Sequence, residues 1–273
     1  MPSRHRALAA LLVFAGWMLI TGLFGALWWQ LPVPPVLKQS VSGLAAPNYV
    51  AAILFLALAI AAFRWRDVGL NPPASPRSLL LLWFPGIYVV AFLSLLAVVG
   101  LPPVGTLLPI LVATILAGVS EELACRGVLY QGLRSRLSVW PAILVSTALF
   151  GAGHLINGFV LGNFTVAGVQ AVAAFMTGIS FMAIRIRTGS LYPGMLLHAL
   201  WDFSLLTMAS ALAENTGSGS LTEGVGAIPV AALLVPVAGV LPNFAYGLFL
   251  LRHAQRDANL AQAAALPSMR SMG

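Results

Sequence analysis

The 273 residues are 60% hydrophobic and only 8% charged, against roughly a quarter charged in an ordinary soluble domain, which excludes a water-soluble globular chain. The formal net charge of +7 does not point to nucleic acid, because the basic residues fall in short clusters between apolar runs and form no continuous stripe. The single cysteine, Cys125, lies within an apolar run, so it excludes an intrachain disulfide framework and reads as a small buried side chain.

Uncharged runs of the length a helix needs to cross a bilayer, about 20 residues, recur along the whole chain. Spans are predicted at residues 7–29, 48–63, 79–100, 106–133, 139–156, 164–184, 191–212 and 226–251. The first follows Arg4 and Arg6 and outruns the apolar core of a signal peptide, about 7–15 residues, so it is expected to be retained. The second is short. The last contains Pro229, Pro236 and Pro242, residues that kink or break a membrane helix where neighbours satisfy the freed backbone. The polar tract from Glu214 to Gly224 reads as an external loop. The expected fold class is therefore all-α, a polytopic transmembrane helix bundle of about eight spans. Residues 1–256 form one integral membrane domain with its motif-bearing core at about 106–210, and 257–273 form a short cytoplasmic tail.

Orientation follows from the arginines. Arg4, Arg6, Arg64, Arg66, Arg77, Arg134, Arg136, Arg185, Arg187, Arg252, Arg256 and Arg270 all fall on one side of the predicted bundle, twelve of fourteen basic residues. Lys38 falls on the other, and Arg126 lies within a span. The excess of Lys and Arg in cytoplasmic loops thus puts both termini in the cytoplasm. The bias of thirteen Arg to one Lys, with abundant Ala, suits a GC-rich bacterial genome and hence the bacterial inner membrane.

Six ionisable residues remain inside spans: Glu121, Glu122, Arg126, His154, His198 and Asp202. A charge at the bilayer centre costs at least about 2.5–3.5 kcal/mol, so such residues mark function by default. Polar groups also serve as glue between membrane helices, but a carboxylate with two imidazoles exceeds what packing requires. Glu122 and Arg126 are four apart and share a helix face, whereas Glu121 is turned about 100° away, free to face the bundle. Phe150 and His154 are likewise one turn apart, as are His198 and Asp202, so that Asp202 can orient the His198 ring.

Three short patterns carry these residues: Glu121-Glu122-Leu123-Ala124-Cys125-Arg126, Phe150-Gly151-Ala152-Gly153-His154, and His198-Ala199-Leu200-Trp201-Asp202. In this order, on successive spans, they resemble the motifs of the CAAX protease and bacteriocin-processing (CPBP, or Abi) family of intramembrane proteases. The resemblance implies a glutamate-dependent endopeptidase without metal or cofactor. Its partners would be the lipid bilayer and a peptide or membrane-protein substrate. It further implies that Glu121 with His154 activates a water, that His198 and Asp202 line the oxyanion site, and that Glu122, Arg126 and Phe150 are structural support. The family often has Asn where this chain has Asp202; an ionised Asp cannot donate to an oxyanion, so orientation of His198 is the role expected here. Two other readings stay open on the residues alone: a zinc protease using His154, His198 and a carboxylate, and a proton-coupled transporter or scaffold.

Overall fold

The computed structural model describes residues 3–24, 47–216 and 230–256. Lys38, Pro229, most of the 214–224 tract and the 257–273 tail lie outside the described residues. Among the described residues every regular element is helical.

Eight principal helices follow in chain order: α1 (Ser3–Leu19), α2 (Pro47–Phe63), α3 (Trp83–Val99), α4 (Val104–Glu122), α5 (Val139–Gly153), α6 (Phe164–Thr188), α7 (Tyr192–Thr216) and α8 (Val230–Leu251). Among the described residues, seven helical stretches are long and apolar enough to cross a membrane, and α2, at 17 residues, falls just short. At about 1.5 Å per residue it measures about 25 Å, against about 30 Å of hydrocarbon. Large apolar side chains point outward, including Val98 at 83% and Phe159 at 80% exposure. In water such a surface would aggregate; in lipid it is the required exterior. The chain is an integral, multi-pass membrane protein.

Local chemistry sets several helix ends. Ser75 caps a 3-10 turn (Pro76–Leu82) by accepting from Arg77 N–H, and this turn leads into α3. Asn163 caps α6 through its side chain, accepting from Val166 N–H at 3.1 Å, and Gly189 ends that helix in the left-handed region at φ 69°. The sequence places the end of α6 at residue 184, but it runs on to Thr188. Arg185 therefore sits inside the helix, 6% exposed, and donates to the Asp67 carbonyl. A buried guanidinium is tolerable there because the loop after α2 supplies an acceptor. In α8, Pro236 and Pro242 lie within one continuous helix.

Helix α6 is the centre of the bundle and packs against α5, α7 and α8. Its approach to α8 depends on Gly247: a Cβ there would lie 2.8 Å from Ser180 Oγ and 2.9 Å from both Ser180 Cα and N. Ser180 in turn donates to the Asn243 carbonyl at 2.6 Å. Close backbone approach at small residues is how membrane helices gain dispersion energy where lipid removes the hydrophobic drive. Gly247→Ala must push α6 and α8 apart. It is expected to destabilise the protein by about 1–3 kcal/mol, read as a lowered thermal midpoint in detergent.

Candidate active site

The site is assembled where α4 and α7 run closest. On α4, Gly118 stands one turn before Glu122, and a Cβ there would lie 3.0 Å from both Met195 O and Ala199 N, the backbone flanking His198. On α7, Gly194 stands one turn before His198, and a Cβ there would come within 3.2 Å of Glu122 Oε2. Two glycines, one per helix, thus let an acidic pair and a histidine meet inside the membrane. Behind them, the Trp17 indole N–H donates to Ser120 Oγ at 2.8 Å, locking α1 against α4 just before the two glutamates.

His198 is the hub. Its Nδ1 lies 2.9 Å from Glu122 Oε1, and since a carboxylate accepts, Nδ1–H donates. Its Nε2 lies 3.6 Å from Glu121 Oε2 and 3.5 Å from Asp202 Oδ2. The ring stacks on Phe181 at 4.9 Å and 18° and meets the Phe150 ring edge-to-face at 6.2 Å. The imidazole is fixed on one edge by Glu122 and on its faces by aromatic rings, and it presents Nε2 to two further carboxylates.

Glu122 and Arg126 are both fully buried, with Arg126 Nη1 3.0 Å from Glu122 Oε1. That approach is out of hydrogen-bond alignment, and Arg126 Nε and Nη1 and Glu122 Oε2 have no hydrogen-bond partner among the described residues. The guanidinium is held instead by charge, by the Phe150 and Phe181 rings at 4.1 and 5.6 Å from its central carbon, and by a bond from Nη2 to the Gly178 carbonyl. Gly178 makes the room, because a Cβ there would lie 3.0 Å from Arg126 Nη2. From Leu123 to Leu129 the α4 rod turns π-helical, and all seven residues of that turn are buried. A π-turn inside an α-helix is a frequent companion of functional sites.

The structure brings Glu121, Glu122, Arg126, Phe150, His198 and Asp202 together and sets His154 at their edge. Glu121 is 13% exposed at its side chain and also accepts from the Tyr49 hydroxyl of α2 at 3.4 Å. Among the described residues Glu121's polar partners are His198 and Tyr49, and no ion pair joins it to His154. His154 begins a 3-10 turn at the end of α5; its Nδ1 lies 3.1 Å from the Phe150 carbonyl and its ring packs edge-to-face on Phe150 at 5.0 Å. A carbonyl only accepts, so Nδ1 carries the proton and a neutral ring has its lone pair on Nε2.

Two features differ from the sequence reading. The tight carboxylate contact of His198 is with Glu122, 76 residues away, while Asp202 stands on the opposite nitrogen. Glu122 is thus more than the partner of Arg126. Tyr49 and Phe181 enter the site with no sequence signal beyond being aromatic residues in apolar runs. Among the described residues, no group of three His, Cys, Asp or Glu side chains is disposed to hold a metal ion.

Comparison with known proteins agrees with this picture over part of the chain. Residues 103–204 match the family model described as Rce1-like, Type II CAAX prenyl endopeptidase Rce1-like. No curated protein and no solved structure matches the chain. The match starts where α4 begins and ends two residues beyond Asp202, so it takes in every acidic, basic and imidazole group of the site. The segment that carries this cluster, residues 103–204, is thus similar to the Rce1-like type II CAAX prenyl endopeptidase family.

Proposed function

We propose that the protein is an intramembrane endopeptidase of the CAAX-protease type that hydrolyses a peptide bond with water activated by Glu121. The observation that carries this reading is the convergence on His198 Nε2 of Glu121 at 3.6 Å and Asp202 at 3.5 Å, within a membrane-spanning bundle. Amide hydrolysis needs a base for the water, donors for the developing oxyanion and an acid for the leaving nitrogen. Glu121, partly exposed and not engaged by Arg126, takes the proton of a water as it attacks the carbonyl carbon. The His198 ring, oriented by Glu122, offers Nε2–H to the oxyanion, and Asp202 opposite stabilises that protonated edge. The proton held by Glu121, or one relayed through His154 Nε2, passes to the departing nitrogen as the C–N bond breaks. His154, His198, Glu121 and Asp202 are the catalytic residues in this scheme; Glu122, Arg126 and Phe150 hold them in place, and Tyr49 positions Glu121.

The protein lies in the bacterial inner membrane with both termini cytoplasmic, in keeping with the arginine distribution. Its substrate is a hydrophobic peptide or membrane protein. The test compares membranes with and without the active enzyme to find proteins that accumulate, then incubates those proteins with the reconstituted enzyme in H₂¹⁸O. The expected result is two fragments with one ¹⁸O in the new C-terminal carboxylate, undiminished by prior dialysis against a strong chelator. Intact substrate throughout would refute the endopeptidase, and loss of cleavage on chelation with recovery on adding Zn²⁺ would favour the zinc reading.

A further inference from the structure

A second polar site lies away from the carboxylates, where α1 begins and α2 ends. Arg6 is eleven residues from Trp17 along α1, about 16 Å at 1.5 Å per residue, and Trp17 is the residue that touches Ser120 beside the glutamates. A cavity of about 310 Å³ opens there, lined by Arg6, Phe63, Arg64, Trp65, Arg66 and Asp67.

We propose that this cavity binds the phosphate of an anionic membrane-lipid headgroup. Among the described residues, its two buried side-chain groups without a hydrogen-bond partner are both donors: the indole N–H of Trp65, a residue 6% exposed, and the Nε–H of Arg6. Buried donors without acceptors are costly, and a phosphate offers several acceptor oxygens at once. Three arginines face one carboxylate in the lining, and that carboxylate, Asp67, is already paired with Arg6 Nη2. The remaining cations, Arg64 and Arg66, are exposed.

The backbone adds an independent observation. Arg64 is the one non-glycine with positive φ among the described residues, at 54°. Its N–H bonds to Ala61 O at 3.1 Å and Trp65 N–H bonds to Ile60 O at 3.0 Å, the hydrogen-bond pair that ends a helix at a left-handed residue. Glycine is the easy occupant of that position. Placing an arginine there, beside Trp65, sets a guanidinium at the mouth of the cavity at the expense of backbone strain, and strain of this kind clusters at ligand sites. The lipid source follows from location: the stacked Phe63 and Trp65 rings, 4.9 Å apart, stand at the end of an apolar helix, the level at which aromatic residues border the headgroups. Basic pockets at that level bind anionic headgroups.

The test uses the full chain in neutral detergent, titrated with phosphatidylglycerol, phosphatidylcholine or inorganic phosphate, with bound lipid read by native mass spectrometry and stability by the thermal midpoint. Phosphatidylglycerol is expected to be retained and to raise the midpoint; phosphatidylcholine is not. The double variant Arg64→Gly/Arg66→Gln should lose about thirtyfold in phosphatidylglycerol affinity, the factor for two arginines at an anionic surface. In phosphatidylcholine it should be at least as stable as the parent, because glycine suits φ 54°. Trp65→Phe, which removes only the indole donor and keeps the ring, should also weaken retention. Equal affinity for the two lipids, or unchanged phosphatidylglycerol retention in both variants, would overturn the proposal. Protection by inorganic phosphate equal to that by lipid would assign the site to a free anion and overturn the lipid reading. Peptide cleavage measured in phosphatidylcholine is unaffected by these variants, so loss of the site is distinguishable from loss of the hydrolase.

Discussion

Glu121→Gln is expected to leave the protein folded and to lower kcat by about two to four orders of magnitude, the contribution of a positioned general base, or roughly 3–5 kcal/mol of barrier. Glutamine keeps the length of the side chain and a carbonyl oxygen that still accepts from the Tyr49 hydroxyl, 3.4 Å from Glu121 in the parent. It also keeps a polar neighbour for His198 Nε2, 3.6 Å away. Only the capacity to take a proton from water disappears, so kcat falls while KM stays within a fewfold. The measurement is single-turnover cleavage of a reconstituted substrate by parent and variant at matched thermal midpoint. Retention of more than a tenth of the parent rate would remove Glu121 from the role of base. Glu122→Gln separates the two neighbours, since it weakens the hold on the His198 ring by removing the carboxylate charge and strands Arg126; its loss of activity comes with a lowered midpoint, and that of Glu121→Gln does not.

The largest effect on stability is expected at Arg126. Its side chain and that of Glu122 are wholly buried and face each other at 3.0 Å. Removing one partner of a buried ion pair strands the other, which typically costs about 3–5 kcal/mol. Arg126→Met keeps most of the side chain's bulk between Phe150 and Phe181 but leaves the Glu122 carboxylate with the His198 ring as its remaining partner. Reversible unfolding in mixed micelles should show this loss. Glu122→Gln/Arg126→Met, which removes both charges, should recover a substantial part of it, because replacing both partners of a buried pair is often close to neutral. If the double variant were as unstable as Arg126→Met alone, shape and not charge would be the reason for the arginine.

The membrane bundle was legible because lipid imposes a simple rule. Backbone groups must be satisfied internally and the exterior must be apolar, so uncharged runs and helices coincide. Local pairs were legible for a similar reason: four residues make about one turn, which put Glu122 beside Arg126 and His198 beside Asp202. Helix ends were legible only where a local residue decides them. The start of α6 follows its Asn163 cap where the sequence places it, but its last turn overran the predicted end, and Arg185 in that turn donates to the carbonyl of Asp67 from a distant loop.

What periodicity could not reach is the choice among contacts available to one side chain. His198 has a same-face neighbour in Asp202, yet its closest carboxylate is Glu122 on another helix. That selection rests on how nearly α4 and α7 approach, which Gly118 and Gly194 set by what they lack. Nor does a regular 3.6-residue pattern foretell the π-turn at Leu123–Leu129, which follows directly on the two glutamates. Tyr49 and Phe181 belong to the site for the same tertiary reason.

The amino-acid sequence by itself determined that this chain lives in a bilayer, how its spans are arranged along it, and which few ionisable groups lie within them, because these depend on transfer free energy and helical repeat alone. Only the tertiary structure decided which carboxylate holds the histidine and which face the remaining nitrogen, because that choice turns on how closely two helices approach at Gly118 and Gly194.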